Sequence, residues 1–572
     1  MVTYQNYAAE CYDDLKQIYH TSAEKYEEKT LFMQKRGRQY EEISYRRYCN
    51  DVDALGTALL KRGWGGRHVM IVGENCYEWV AAFMAVICGV GVVVPVDPGL
   101  SSQQIANIAR LSDASAVIFS SALADRIDTP ALASLEKIRF CELSQWISRG
   151  QECICTGDRS YLDAELDPGC MSLLLFTSGT TGLSRGVMLS HRNLCFNLSE
   201  MCKMVYIDDS DIFLSILPLH HAYECTCGFL CPLYRGATVA FGEGVHHLSR
   251  NMQQVHPTVM LCVPLLIERL YEKICANVRA CGLEGSVRTG IRMTNSIGSE
   301  KLRNAARKKL FAEIHQSFGG SLRLLISGGA TADPQTLQGM REFGFLVLQG
   351  YGLTECAPLV AINRDTAPND RAAGMCTPNT LLDICDMQNE GFGEVRFQGD
   401  NLMLGYYKRP DLTAEVIRNG WFYTGDLGYL DTDGFLYITG RKQNAIPAEN
   451  GELVYPEELE AYLNRSAYIR ESVVVGYPGI GSAGRQIVAI LHPDFGRMEA
   501  ILGKNISSER FDLEMKKAVS EVNSALPPHK HIRAYLISEE AFPKNTSRKI
   551  KRAGLADLFY EQYREKQKSK VT

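Results

Sequence analysis

The chain carries little net charge: 61 lysines and arginines against 66 aspartates and glutamates leave a formal charge of −5 on 572 residues. That balance creates no global field for nucleic acid or an anionic membrane, so nucleic acid is not an expected partner and any phosphate must be held by a local site. Leader features are lacking too: MVTYQNYAAECYDD has neither a basic n-region nor an apolar h-region, which argues against a secretory signal, and the expected location is the cytoplasm. A disulfide framework is also absent. The nineteen cysteines are odd in number, with none after Cys385, and such frameworks belong to small secreted domains. The pairs Cys153/Cys155 and Cys225/Cys227 have no second pair at zinc-ligand spacing, so buried thiols are expected instead of a metal centre. No low-complexity tract interrupts a composition that is 45% apolar and 22% charged, which is ordinary for a globular protein.

Two nucleotide signatures are missing as well. No GxGxxG joins a strand to a helix, which argues against a nicotinamide or flavin enzyme. TSGTTGLSRG at 177–186 has the glycines and hydroxyls of a phosphate loop, but no GK followed by Ser or Thr, so it is not a Walker A loop. The longest apolar run, WVAAFMAVICGVGVVVPV at 79–96, reaches membrane-span length. Gly89, Gly91 and Pro95 break it, its second half is β-branched, and Asp97-Pro98-Gly99 closes it, so a buried helix followed by a buried strand is expected.

What is present is strongly patterned. HVMIVG, a helix, GVVVPV, the helix SSQQIANIARLS and SAVIFSS form a βαβαβ unit around a parallel sheet. DIFLSILPL, a helix after Tyr223, ATVAF, a helix after His247 and TVMLCVP repeat that order over 211–264, and LRLLIS at 322–327 adds a buried strand. From about residue 372 short strands with Gly and Asp turns suggest a small β-barrel, and after Gly440 comes an α+β module. The expected class is therefore α/β: an N-terminal domain over 1–440, with two βαβαβ-type sheets plus the β-rich part from about 372, and a small α+β domain over 441–572. The chemistry of 177–186 is legible without a motif name. LLLF ends a buried strand, and the turn after it offers backbone N–H groups and hydroxyls suited to phosphate oxygens.

Taken with LPLHH at 217–221, SGGA at 327–330, QGYGLTE at 349–355, YTGDLG at 423–428, GRKQN at 440–444 and PKNTSRKIKR at 543–552, this loop resembles the adenylate-forming superfamily of acyl-CoA synthetases, adenylation domains and luciferases. The seven motifs stand in the family's order and cover nearly the whole chain. The resemblance implies that a carboxylate attacks the α-phosphate of ATP, giving an acyl-adenylate and pyrophosphate, after which a thiol displaces AMP. It implies that Thr177, Ser178, Gly179, Thr180, Thr181 and Gly182 hold the β- and γ-phosphates, that Thr354 bonds the α-phosphate and that Glu355 holds Mg2+. Lys549 is the implied mobile catalytic cation between the substrate carboxylate and the α-phosphate. Asp426 and Arg441 would bind the ribose, and Tyr351 would stack on adenine beside Gly328, Gly329 and Ala330, with Gln349, Gly350 and Gly352 in the same nucleotide-binding set. His221 would stand at the mouth of the acyl pocket; His220 alternatively reads as a core residue. The C-terminal domain is expected to rotate about 440–444 between the two half-reactions.

Three positions depart from the family pattern. Arg185 stands for the loop lysine, which keeps the charge and adds bidentate phosphate geometry. Arg548 stands for a glycine before Lys549, and Gln443 occupies the hinge, where Asp or Lys is usual. The segment HAYECTCGF after the LPLHH strand has Glu224 as its one charged residue, which favours an acid without an amine. With the helical insert at about 265–318, it looks like the long-chain fatty acyl-CoA synthetase branch. The expected substrates are ATP, a fatty acid and CoA; acyl carrier protein is the alternative acceptor, and with no carrier domain expected after the charged helix YEQYREKQKSK the thiol is expected in trans. A catalytically degenerate adenylate-binding protein is the alternative of another class. No segment requires a membrane, although a lipid-partitioning substrate is compatible with peripheral contact.

Overall fold

The computed structural model describes residues 4–178, 184–387, 391–448, 453–478, 485–504, 506–544, 550–552 and 554–568. Two compact units divide the chain: 1–382 with 397–422 and 430–436, and 383–396 with 423–429 and 437–572.

The first unit contains both expected α/β sheets. Arg67–Val72 lies at the centre of one, parallel to Gly91–Val96 on one side and Ala116–Phe119 on the other. Glu136–Arg139 extends it in parallel beyond Ala116–Phe119. At the other edge Met171–Ser178 joins in parallel and turns back as an antiparallel hairpin with Ser184–Ser190, which Gly405–Tyr406 caps. The apolar run at 79–96 divides as expected. Tyr77–Ala85 is helical, Val86–Val90 is a wide π turn broken at Gly89, at φ +156°, and the strand follows. Glycine is needed at position 91 because a Cβ there would sit 2.1 Å from the Arg67 carbonyl of the neighbouring strand. Among the described residues, no helix is long and apolar enough to cross a membrane.

The second sheet has a parallel core in the order Leu346–Tyr351, Leu324–Ser327, Val259–Cys262, Ile212–Ser215, Thr238–Phe241 and Thr30–Arg36. The strands of this core are four to seven residues long and several are wholly buried, which is why they read as continuous apolar runs and not as alternating ones. The helix expected after Tyr223 is a π-helix over Glu224–Leu230 that passes into Cys231–Arg235. Its wide turn accommodates the Glu224 carboxyl against Gly228, where a Cβ would lie 2.7 Å from the carboxyl carbon. Wide turns of this kind concentrate at functional sites.

The β-rich segment differs from expectation in one respect. Leu381–Cys385, Gly393–Gln398, Trp421–Leu430 and Phe435–Arg441 follow one another in an open path, and no pairing among the described residues closes them into a barrel. Short strands with Gly and Asp turns look alike in both arrangements, because closure depends on a long-range partner. The second unit also holds a three-stranded sheet, with Arg485–Pro493 antiparallel to Ile469–Pro478 and parallel to Ala534–Ile537. The helices Pro456–Leu463 and Ser508–Ser524 cover it through Leu459, Leu463, Met515 and Val519.

Candidate adenylate site

The hairpin flanking the TSGTTG loop presents Thr177 opposite Arg185, with Ser178 paired to Ser184. Gly179, Thr180, Thr181 and Gly182 lie outside the described residues. Thr177 is half-buried. The Arg185 guanidinium stands 5.6 Å from the centroid of the Tyr406 ring, a cation–π distance. Tyr406 comes from the short strand that caps the hairpin, and its hydroxyl donates to Glu355 Oε1 at 2.9 Å. Burial and the neighbouring Glu355 carboxylate push the Tyr406 phenol up, so it stays protonated and remains a donor. The Met403 N–H bonds the Glu355 carbonyl at 2.9 Å and ties the same two segments together. Arg185, Tyr406 and Glu355 are thus brought into one chain of contacts, although 51 residues separate Tyr406 from Glu355.

Thr354 and Glu355 sit on a single 3-10 turn, Thr354–Cys356, directly after the strand Leu346–Tyr351. The turn is held from outside: Asn197 Nδ2 donates to the Cys356 and Leu359 carbonyls at 3.1 and 2.8 Å, and Asn401 Nδ2 donates to the Leu359 carbonyl at 2.9 Å. Gly352 is required by packing, since a Cβ there would meet the Pro358 carbonyl oxygen at 1.9 Å. Gly350 pairs with Ile362, and the Tyr351 carbonyl accepts from the Val360 N–H at 3.0 Å, which leaves the half-buried Tyr351 ring on a fixed backbone. Gln349 is engaged within the fold: its Oε1 accepts from the Ala332 N–H at 2.9 Å and its Nε2 donates to the Asp370 carbonyl at 2.8 Å.

The Gly328-Gly329-Ala330 turn follows the buried strand Leu324–Ser327. Gly328 is packed on Tyr223, whose ring a Cβ would meet at 2.9 Å and whose hydroxyl bonds the Ile326 carbonyl at 2.8 Å. Gly329, at φ +86°, and Ala330 are exposed, so backbone is available for close approach by a planar base.

At the end of Ile212–Ser215, the motif LPLHH is braced by Asn75, whose Nδ2 donates to Ser215 Oγ and to the Leu217 carbonyl and whose Oδ1 accepts from the Leu219 N–H. The rings of His220 and His221 lie 4.4 Å apart. The His220 side chain is 8% exposed, and burial, with His221 beside it, lowers its pKa well below the ordinary value, so it is neutral. His221 is half-buried. Glu224 is 1% exposed; Ser215 Oγ donates to its Oε1 at 2.6 Å, while Oε2 has no hydrogen-bond partner. Burial pushes this carboxyl up to about 8. At neutral pH it is therefore an uncharged acid.

In the second unit Arg441 Nε lies 3.0 Å from Asp426 Oδ1, and the Asp426 side chain is 6% exposed. The Asp426 backbone N–H bonds Thr424 Oγ1 at 3.1 Å. Next to this pair, Lys442 Nζ contacts Glu394 Oε2 at 2.8 Å, and Glu394 Oε1 accepts from the Gly425 N–H at 3.0 Å. Lys549 and Arg548 lie outside the described residues. Arg552, from the same basic run, is an internal strut: its guanidinium pairs with Glu460, a buried acid pushed up to about 7 chiefly by desolvation.

Two clusters of metal-type donors occur among the described residues, and both are already engaged. His20, Cys49 and Asp53 form one. Asp53 accepts from the Tyr19 hydroxyl at 2.6 Å, and burial raises the Cys49 thiol, which keeps its proton. In the other, Cys385, Asp386 and Glu394, the ammonium of Lys442 takes the place of a cation. Cys225 and Cys227 are buried thiols that desolvation raises. The donor chemistry that would suit Mg2+ is a single carboxylate completed by substrate phosphate and water, and Glu355, held by the Tyr406 hydroxyl, is a carboxylate that could hold it.

Sequence reasoning missed Tyr406 and Asn75. Tyr406 lies in GYYKRP at 405–410 and Asn75 in ENCYEW at 74–79, outside every recognised motif, and the sheet pairing with the Met403 N–H bond to the Glu355 carbonyl carries Tyr406 to Glu355.

Residues 19–407 match the family model described as AMP-binding enzyme. The chain is 29% identical over 499 residues to long-chain-fatty-acid–CoA ligase 5 of Rattus norvegicus, covering 78% of this chain and 71% of the relative. It is 28% identical over 599 residues to long-chain-fatty-acid–CoA ligase 6 of Homo sapiens, covering 94% and 84%. Its fold matches the crystal structure of ATP-bound MatB from Rhodopseudomonas palustris with a TM-score of 0.74, at 21% identity over 96% of this chain and all of the other.

Proposed function

The chain belongs to the AMP-binding enzyme family, and we propose from that premise that it activates a medium- to long-chain fatty acid and transfers it to the thiol of CoA. The fatty carboxylate attacks the α-phosphorus of ATP and displaces pyrophosphate. The thiol sulfur then attacks the acyl carbon, AMP leaves, and the thiol proton passes to solvent. The observation that carries the choice of acid is Glu224. An amino acid substrate needs a counter-charge for its ammonium group, and the one carboxyl that follows LPLHH is buried, bonded to Ser215 and uncharged at neutral pH. Relatives named long-chain-fatty-acid–CoA ligases, matched along most of both chains, support the same reading.

In this proposal Thr177 to Gly182 and Arg185 hold the β- and γ-phosphates, and Thr354 bonds the α-phosphate. Tyr406 donates to Glu355, the carboxylate that would hold Mg2+, an ion that would supply neutralising charge to the phosphates. Exposed backbone at Gly329 and Ala330 accepts the adenine beside Tyr351, while Asp426 and Arg441 accept and donate to the ribose hydroxyls. His221 borders the acyl entrance. Lys549 stabilises the charge that develops as carboxylate meets phosphate, a task that falls to placed cations because phosphoryl chemistry asks little covalent work of the protein. Residues 441–572 move as the domain that carries Lys549, and the reaction takes place in the cytoplasm.

Pyrophosphate release with ATP, Mg2+ and a ladder of fatty acids, run with CoA, with holo acyl carrier protein and with neither thiol, tests this reading. Turnover with CoA and a long acid is expected. Preference for the carrier protein would replace the acceptor, and silence with every acid while ATP still binds would leave a degenerate adenylate-binding protein.

A further inference from the structure

The helical insert of the first unit carries a charge opposite to that of the whole chain. Residues 279–310 hold eight lysines and arginines against two carboxylates, Glu284 and Glu300, in a protein whose formal charge is −5. The segment folds as two helices, Glu284–Asn295 and Glu300–Leu310, that touch where Leu310 lies on Gly290; a Cβ at Gly290 would come within 2.6 Å of Leu310 Cδ2. Arg307 faces inward, bonding the Arg341 carbonyl and Asn295 Oδ1. Arg288, Arg292, Lys308 and Lys309 are exposed, the first two one helical turn apart. Among these cations stand large apolar side chains that solvent reaches: Leu283 at 46%, Met293 at 68%, Leu302 at 64% and Leu310 at 53%.

Exposed apolar residues scattered singly are ordinary, but four on one basic helical hairpin are not. A cationic helix surface with protruding Leu and Met side chains has the chemistry of a monolayer contact. The cations meet anionic headgroups, and the apolar side chains enter the headgroup–acyl boundary. We propose that residues 283–310 dock the protein on a bilayer that carries anionic lipid. The docking itself does not depend on the reaction catalysed. Its consequence, that a fatty acid is taken up from the membrane in which it dissolves, rests on the fatty acid reading.

The test is co-sedimentation of the full chain with vesicles of phosphatidylcholine alone and of phosphatidylcholine with phosphatidylglycerol, without any substrate. Binding is expected on the anionic vesicles and weakens as salt shortens the range of the attraction. The triple variant R288Q/R292Q/K309Q is expected to bind about a hundred-fold more weakly, at about five-fold per cation. The pair M293S/L302S is expected to lower binding with an unchanged salt dependence, and thermal unfolding like that of the parent shows that both variants are folded. Equal binding to neutral and anionic vesicles, or a triple variant that binds like the parent, overturns the proposal. So does a lack of any binding, which would leave the face to an acidic protein or a second copy of the chain. If vesicles bind as expected but no fatty acid is activated, the catalytic reading fails and the docking surface stands.

Discussion

Replacing Glu224 by glutamine removes a proton-binding group from the interior and changes how stability depends on pH. The native carboxyl is 1% exposed, has one hydrogen bond from Ser215, and is pushed from an ordinary value of 4.5 to about 8 by desolvation. The sign follows from which state holds the proton longer. Between pH 4.5 and 8 the unfolded chain has released it and the folded chain has not, so stability falls as pH rises through that window and levels off above it. At about 1.4 kcal/mol for each pH unit of difference, the loss across the window is about 4 to 5 kcal/mol. Glutamine keeps an acceptor for the Ser215 hydroxyl but places an amide N–H2 where Oε2 has no partner, at a pH-independent cost of about 1 to 3 kcal/mol. The variant should therefore be the less stable protein at pH 5 and the more stable one at pH 9. All four tryptophans, Trp64, Trp79, Trp146 and Trp421, belong to the first unit, so urea unfolding followed by tryptophan fluorescence reads that unit directly. Parallel pH profiles for parent and variant would show that Glu224 does not carry a buried proton, and the argument that it cannot serve an ammonium substrate would fall with it.

Changing Lys549 to alanine is expected to remove about 3 to 4 kcal/mol of transition-state stabilisation from acyl-adenylate formation while sparing thioester formation from preformed acyl-adenylate. Equal loss in both half-reactions would contradict its role. Tyr406→Phe frees the Glu355 carboxylate from its orienting hydroxyl, and the Mg2+ concentration that gives half-maximal pyrophosphate release should rise at least about ten-fold. An unchanged Mg2+ titration would detach Glu355 from the metal. Asp426→Asn weakens a charge-assisted contact to the ribose, and the KM for ATP should rise by about 10- to 100-fold with little change in the KM for the fatty acid. A change confined to the fatty acid would refute the ribose assignment.

Much of the architecture is legible because its signals are local. HVMIVG, GVVVPV, SAVIFSS and LRLLIS are short apolar runs bounded by turn residues, and each is a buried strand. Gly89, Gly91 and Pro95 divide an apolar run of membrane-span length: the helical path breaks at Gly89, and Gly91 opens the strand where its backbone lies against Arg67. What escapes is what long-range pairing decides. An open path of strands from 381 to 441 reads like a small barrel, since turn chemistry says nothing of the last partner. The π-helix at Glu224, with its carboxyl lying against Gly228, reads as an ordinary helix, because composition does not announce a wider turn. Glu355 is legible from QGYGLTE, but Tyr406 is not, because it approaches Glu355 through long-range contacts, the pairing of 405–406 with Met188 and Val187 and the Met403 N–H bond to the Glu355 carbonyl. Gln349 shares that motif, yet its amide is engaged with Ala332 and Asp370, partners that local spacing does not reveal.

In the proposed reaction the carboxylate passes through a mixed anhydride with AMP. Incubating the protein with a long-chain fatty acid and ATP–Mg2+ in the absence of any thiol, then quenching and analysing the products by mass spectrometry, tests it directly. Acyl-adenylate together with pyrophosphate is expected, with conversion to acyl-CoA and AMP when CoA is added. Formation of ADP, or of acyl-CoA without an adenylate that can be chased, would contradict it.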